Sequence, residues 1–160
     1  MKSLVFAGLC LAALSAASAA SAANPQVEAP IHNFIDAFNR GDVPAAGRTH
    51  AKDASIIDEV PPYIWKAPDA FTKWVADLTA YDAAMGITDE RVTLGPVTRE
   101  LVTGPPDHQS AYVIVSATYT FKQKGVAMRE PAQMTFALRN NDGWRISGWT
   151  WTGPDPTPVK

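Results

Sequence analysis

The run Asn140-Asn141-Asp142-Gly143-Trp144-Arg145-Ile146-Ser147-Gly148-Trp149-Thr150-Trp151-Thr152-Gly153 constrains this chain more than any other segment. Asp142-Gly143 between two apolar stretches signals a tight hairpin, because glycine tolerates the positive φ that such turns need. The strand that follows carries three tryptophans, so it must bury a large aromatic surface on at least one face. Gly153-Pro154-Asp155-Pro156 and Pro158 are predicted to end the ladder, leaving 154–160 as a proline-rich tail. Alternation groups Trp149 and Trp151 with Arg145 and Ser147, opposite Ile146, Gly148 and Thr150. With the Ile146 set inward, the two indoles form an outer aromatic patch, which predicts a homodimer through Trp149 and Trp151. A bulge would swap the parity and send Trp149 inward instead.

The first 23 residues read as a signal peptide. Lys2 supplies the positive start, Leu4 to Leu14 the apolar run, and Ala16 to Ala23 the small-residue cleavage region, with processing expected after Ala23 or Ala22. An exported chain, periplasmic or secreted, with no membrane span after cleavage is the expectation. Cys10 falls in that leader, so the remaining chain has no thiol for a disulfide, a nucleophile or a cysteine-type zinc site. Of 14 basic residues Lys2 is removed, leaving 13 against 16 acidic ones and a formal charge of −3. The charges are interspersed, and nucleic acid is excluded as a partner because phosphate binding needs a concentrated positive footprint. No glycine-rich phosphate loop and no Gly-x-Ser-x-Gly elbow is present. Three histidines, none at metal-binding spacing, predict no metal site and no cofactor.

Residues 24–153 read as one domain of α+β class. Ile31, Phe34, Ile35 and Phe38 recur at helical spacing, with Pro30 in the first turn and Gly41 past the end. Asp42 is the predicted cap of a short second helix reaching about His50. Strands follow at Ala54–Val60 and Tyr63–Trp65. Pro68 opens a third helix with Phe71, Trp74, Val75 and Leu78 on its apolar face, ended by Gly86. Four long strands, roughly 89–103, 109–122, 126–139 and 144–152, are joined by short connections that imply antiparallel neighbours. In the third of these, Met134, Phe136 and Leu138 share the inward face.

Three local patterns give this order of elements a resemblance to the nuclear-transport-factor-2-like superfamily, in its SnoaL-like and ketosteroid-isomerase-like branch. They are Phe34-Ile35-Asp36-Ala37-Phe38-Asn39-Arg40-Gly41-Asp42, Asp53-Ala54-Ser55-Ile56-Ile57-Asp58 and Asp142-Gly143-Trp144-Arg145-Ile146. The resemblance spans about residues 28–153. It implies three N-terminal helices packed on a strongly curved, mainly antiparallel sheet around a conical cavity, a cystatin-like cone, commonly in a dimer. It implies no single activity, since one fold hosts many chemistries.

Carried over residue by residue, Asp58 falls where ketosteroid isomerases keep a general-base carboxylate, and burial would raise its pKa toward neutrality. Their two oxyanion donors correspond here to Phe34 and Met134, which cannot donate, so isomerisation by that mechanism is not expected. His50 is the candidate acid, able to pair with Asp58 or Asp53. Phe34, Phe38, Ile56, Trp65, Trp74, Tyr112, Met134 and Phe136 are the candidate ligand-binding residues. Tyr119 has opposite parity to Tyr112, so only a bulge would turn both inward. The resulting expectation is an exported binder of a small apolar or aromatic molecule. The alternatives are a cofactor-free acid–base enzyme (isomerase, dehydratase or cyclase) with Asp58 as base, and a module used for dimerisation or assembly.

Overall fold

A computed structural model describes residues 24–160; the leader expected over 1–23 lies outside them. The first helix, α1 (Pro25–Asn39), starts earlier than Pro30 suggests. Asn24 Oδ1 accepts the Gln26 backbone N–H at 3.1 Å and Pro25 sits at the first helical position, where its missing N–H costs nothing. Gly41, at φ +67°, releases the chain. Asp42 caps α2 (Val43–Arg48), its Oδ1 accepting the Ala45 N–H at 3.0 Å. Strand β1 (His50–Ile57) and the two-residue β2 (Ile64–Trp65) follow, then α3 (Ala70–Met85). Gly86 ends α3 in the left-handed conformation that glycine adopts without steric penalty. The remaining chain forms β3 (Ile87–Thr103), β4 (Gln109–Gln123), β5 (Val126–Asn140), β6 (Trp144–Thr152) and β7 (Thr157–Pro158).

The strands make one sheet in the order β2-β1-β6-β5-β4-β3, with β7 pairing β5 separately. This corrects the expected cone. The path is open, with β2 at one end and β3 at the other, and β1 runs parallel to β6, so the sheet is mixed. It is neither closed nor strongly curved: β2 offers only Ile64 and Trp65 and pairs with β1 alone, leaving nothing to join the far edge at β3. The α+β class and the three helices are as expected. The tail, in turn, does rejoin the ladder. Thr157 and Pro158 lie opposite Arg129 and Met128, and the Val159 N–H donates to Ala127 O at 2.9 Å. Proline is tolerated there because the strand is a short edge and the next residue supplies the donor.

The core lies between the helices and one face of the sheet. Val27, Ile31, Phe34 and Ile35 from α1, Trp74 from α3, and Val113, Val115, Met134, Phe136, Leu138, Ile146 and Trp149 from the sheet are all buried. Burying side chains of this size stabilises by about 1.5–3 kcal/mol each before conformational entropy is subtracted. The parity expected for β6 fails at a register shift between Ala137 and Leu138. Ile146 and Trp149 therefore both point inward, and Trp149 is only 4% exposed. Trp151 packs against the same core. The outer aromatic patch expected to form a homodimer interface does not exist at these two residues.

Asn39 closes the end of α1 onto the sheet. Its amide donates to Val92 O and its Oδ1 accepts the Val92 N–H, both at 2.8 Å. Replacing it by alanine removes both bonds and strands a pair of backbone groups on β3. Asn39→Ala is expected to lower unfolding free energy by about 1–3 kcal/mol, read as a lower urea midpoint at unchanged slope.

Candidate functional site

A cavity of about 260 Å³ opens between α1, α3, the β1–β2 connection, the sheet and the tail. Its walls are unusually aromatic. Phe34 and Phe38 come from α1, Trp74 and Tyr81 from α3, Tyr119 and Phe121 from β4, and Trp149 and Trp151 from β6. The rings brace one another: Trp74 meets Trp149 edge-on at 5.0 Å, and Tyr119 meets Trp151 edge-on at 6.0 Å, geometries that suit the ring quadrupoles.

Six carboxyl groups share this cavity: Asp58, Glu59, Asp82, Glu90, Glu130 and Asp155, with no basic side chain among the lining residues. Asp58 leaves the end of β1 with its backbone N–H donating to Tyr63 O at 3.2 Å. Its Oδ2 accepts the Trp74 indole N–H at 2.7 Å and its Oδ1 accepts the Glu59 N–H at 2.8 Å. Glu130 accepts the Trp151 indole N–H at 2.7 Å, and Tyr119 donates its hydroxyl to Glu90 at 2.5 Å.

Loss of water raises the Asp58 pKa, with Trp74 pulling the other way. Burial and the adjacent Glu90 push Asp82 up to about 7. Desolvation is also the chief cause that raises both Glu59, at the mouth, and Glu130, beneath it. Burial and the bond to Glu90 raise the Tyr119 hydroxyl as well, so it stays protonated.

Of the residues singled out from the sequence, Phe34, Phe38, Asp58, Trp74 and Met134 do line the cavity. Ile56 and Phe136 do not. They are fully buried on either side of Trp149, as its register partners on β1 and β5. Trp65 is turned toward α3, donating its indole N–H to Asp77 at 2.7 Å. Tyr112 is 42% exposed on the opposite face of the sheet, because β4 pairs with β5 without a bulge and only the Tyr119 parity faces inward.

His50 and Asp58 are not brought together either. His50 is buried behind the cavity wall, its Nε2 accepting the Trp149 indole N–H at 3.0 Å and its Nδ1 lying 3.1 Å from Ala46 O. Phe34 and Phe71 pack on its ring. This arrangement specifies the neutral Nδ1-protonated tautomer, and burial lowers the pKa to about 4. His50 is a structural acceptor, not a proton donor to the cavity.

Five of the six carboxyl groups were not singled out from the sequence: Glu59, which alternation with Asp58 points to solvent, Asp82, Glu90, Glu130 and Asp155. Two of them carried a signal. Asp82 follows Trp74 and Leu78 at successive four-residue steps along one face of α3, and Glu130 has the inward parity of Met134 and Phe136. Glu90 lies inside the register shift between Thr88 and Arg91 in β3, which alternation alone does not resolve.

No family model matches the chain, and no curated protein matches it. Solved structures do match. A ketosteroid isomerase-like protein from Erwinia carotovora atroseptica superposes with a TM-score of 0.61 at 22% identity, covering 82% of this chain and 95% of that one. A nuclear transport factor 2-like superfamily protein from Salmonella enterica gives 0.61 at 13% identity, covering 83% of this chain and 92% of that one. A protein of ketosteroid isomerase-like fold from Catenulispora acidiphila, in complex with trimethylamine, gives 0.51 at 20%, covering 76% and 82%. The fold is nuclear-transport-factor-2-like. Within that fold the likeness does not select a branch. Among the described residues no helix is long and apolar enough to cross a membrane.

Two titrations follow. His50 has a folded pKa depressed below its ordinary 6.5, so the stability it supports is complete above that value and is lost as pH falls toward 4. Its ring resonances in NMR are expected to stay constant from neutral pH until close to that point. Asp82 is raised from 3.8 to about 7, so its contribution is present at low pH and lost as pH rises through neutrality. Between mildly acidic and mildly alkaline pH, the urea midpoint of the wild type is expected to fall more than that of Asp82→Asn.

Proposed function

We propose that this chain binds a small organic molecule with an apolar or aromatic body in the cavity between α1, α3 and the sheet. The observation that carries this reading is the wall of Trp74, Trp149, Trp151, Tyr119 and Phe38 around about 260 Å³ of open space. Cavities of this kind are where small ligands bury most of their surface. At the low end of ligand-pocket sizes, it suits a molecule of one or two rings. The trimethylamine complex of the Catenulispora acidiphila protein supports small organic molecules as ligands for this fold. We further propose, from the leader-like residues 1–23, that the chain acts after export.

A second reading is proton abstraction from the bound molecule. Asp58 favours it: the carboxylate faces the cavity, has a raised pKa and is held by the Trp74 indole and the Glu59 N–H.

Native mass spectrometry of protein purified gently from its own host tests the binding reading. A reproducible extra mass, removed by organic extraction, is the expected result. Leu78→Trp, which fills the cavity from α3, is expected to lose that mass while keeping the wild-type circular dichroism. Retention of the mass by this variant would place the ligand elsewhere. Asp58→Asn is expected to keep the mass and, if the second reading holds, to lose turnover of the extracted molecule.

A further inference from the structure

The aromatic walls account for the body of a ligand but not for the carboxyl groups among them. Six acidic side chains converge from the β1–β2 connection (Asp58, Glu59), α3 (Asp82), β3 (Glu90), β5 (Glu130) and the tail (Asp155), and no lining residue carries positive charge. Two of them are nearly sealed from solvent. Glu130 is 0% exposed and Asp82 9%. Oε2 of Glu130 and Oδ1 of Asp82 meet no amide, indole or hydroxyl donor.

Leaving such oxygens unpaired inside a protein is costly. Burial and neighbouring carboxyls, Glu130 beside Glu59 and Glu90 beside Asp82, favour the protonated forms of Glu59 and Asp82. Tyr119 stands between the two pairs. It lies directly opposite Glu130 in the β4–β5 ladder and donates to Glu90. Gly153 lies against Glu130, and a side chain there would overlap the carboxyl unless it moved.

We propose that the ligand of this cavity is an organic ammonium ion, its N–H groups donating to Glu130 and Asp82 and its hydrocarbon body lying against Trp74, Trp149 and Trp151. This rests on the small-molecule reading above and adds the charge of the ligand. An ammonium supplies the donors that the two oxygens lack, and its positive charge is attracted by both carboxylates and indole faces. A bare metal ion is a poorer fit, because no three acidic or imidazole groups among the described residues are arranged to ligate one. Binding exchanges protons for the ammonium. With Asp82 near 7 and Glu59 raised, affinity increases as pH rises through neutrality, until the amine itself loses its proton. Asp58, Glu90, Asp155 and the Tyr119 hydroxyl face the same space; the three carboxylates add negative potential, and the hydroxyl stays neutral.

Calorimetric titration of the purified chain with two matched pairs tests this: benzylamine against benzyl alcohol, and cyclohexylamine against cyclohexanol. At about pH 7.5, where alkylamines are protonated, each amine is expected to bind about tenfold tighter than its alcohol. The amine heats are expected to change with the ionisation enthalpy of the buffer, which reports released protons. Glu130→Gln and Asp82→Asn are each expected to cut the amine preference several-fold while leaving alcohol affinity unchanged. Alcohols that bind as tightly as amines would overturn the charge assignment and leave the small-molecule reading standing. An amine preference untouched by both variants would overturn the assigned carboxylates. Failure of all four probes to bind would overturn both readings together.

Discussion

The hydrogen bond from the Trp149 indole to Nε2 of His50 is the contact on which the rest of this structure depends. It joins β6 to β1 across the parallel pairing, and its two residues are also the packing surface for the helices. Phe34 of α1 lies against both rings, and Trp74 of α3 meets Trp149 edge-on. Ile56 and Phe136 hold the indole from the neighbouring strands. The bond works only while His50 is neutral with its proton on Nδ1, a state favoured by the Ala46 carbonyl and by burial. An imidazolium would set an N–H against an N–H. One tautomer of one buried side chain therefore positions the aromatic wall of the cavity.

The cavity itself combines two physical demands that rarely coexist. Aromatic walls exclude water and so raise the cost of charge, yet six carboxyl groups are placed among them. The chain manages this by giving the nearest carboxylates strong donors, Trp74 to Asp58, Trp151 to Glu130 and Tyr119 to Glu90, and by keeping others protonated. Each donor comes from an element different from that of its acceptor. The same bonds that neutralise the site thus tie α3 to the β1–β2 connection, β6 to β5 and β4 to β3, so its electrostatics and its architecture are one arrangement.

Much of this was legible in the linear chain where a local rule decided the outcome. The Asp42 cap, the Gly41 and Gly86 helix ends, the Asp142-Gly143 turn and the inward parity of Met134, Phe136 and Leu138 all follow from nearest-neighbour geometry. Asp58 at the cavity was also reached, through the resemblance. The errors cluster where strands meet. The register shift between Ala137 and Leu138 reversed the face of Trp149, and the parallel β1–β6 pairing with an open path replaced the cone. His50 and Asp58 seemed natural partners at eight residues' separation, yet Trp149, 99 residues from His50, holds the imidazole instead.

The sequence by itself determined the class of the fold, the approximate position of each helix and most strand boundaries. These depend on periodicity, caps and composition, which act within a few residues of one another. Only the tertiary structure decided that the tryptophans face inward, that Tyr119 and not Tyr112 reaches the cavity, and that carboxyls from five separate segments share one space. Those outcomes depend on register and on groups far apart in the chain. A carboxylate's character is set by what surrounds it in three dimensions: Asp82 becomes a near-neutral acid because Glu90, brought over from β3, and a dry aromatic wall leave its charge nowhere to go.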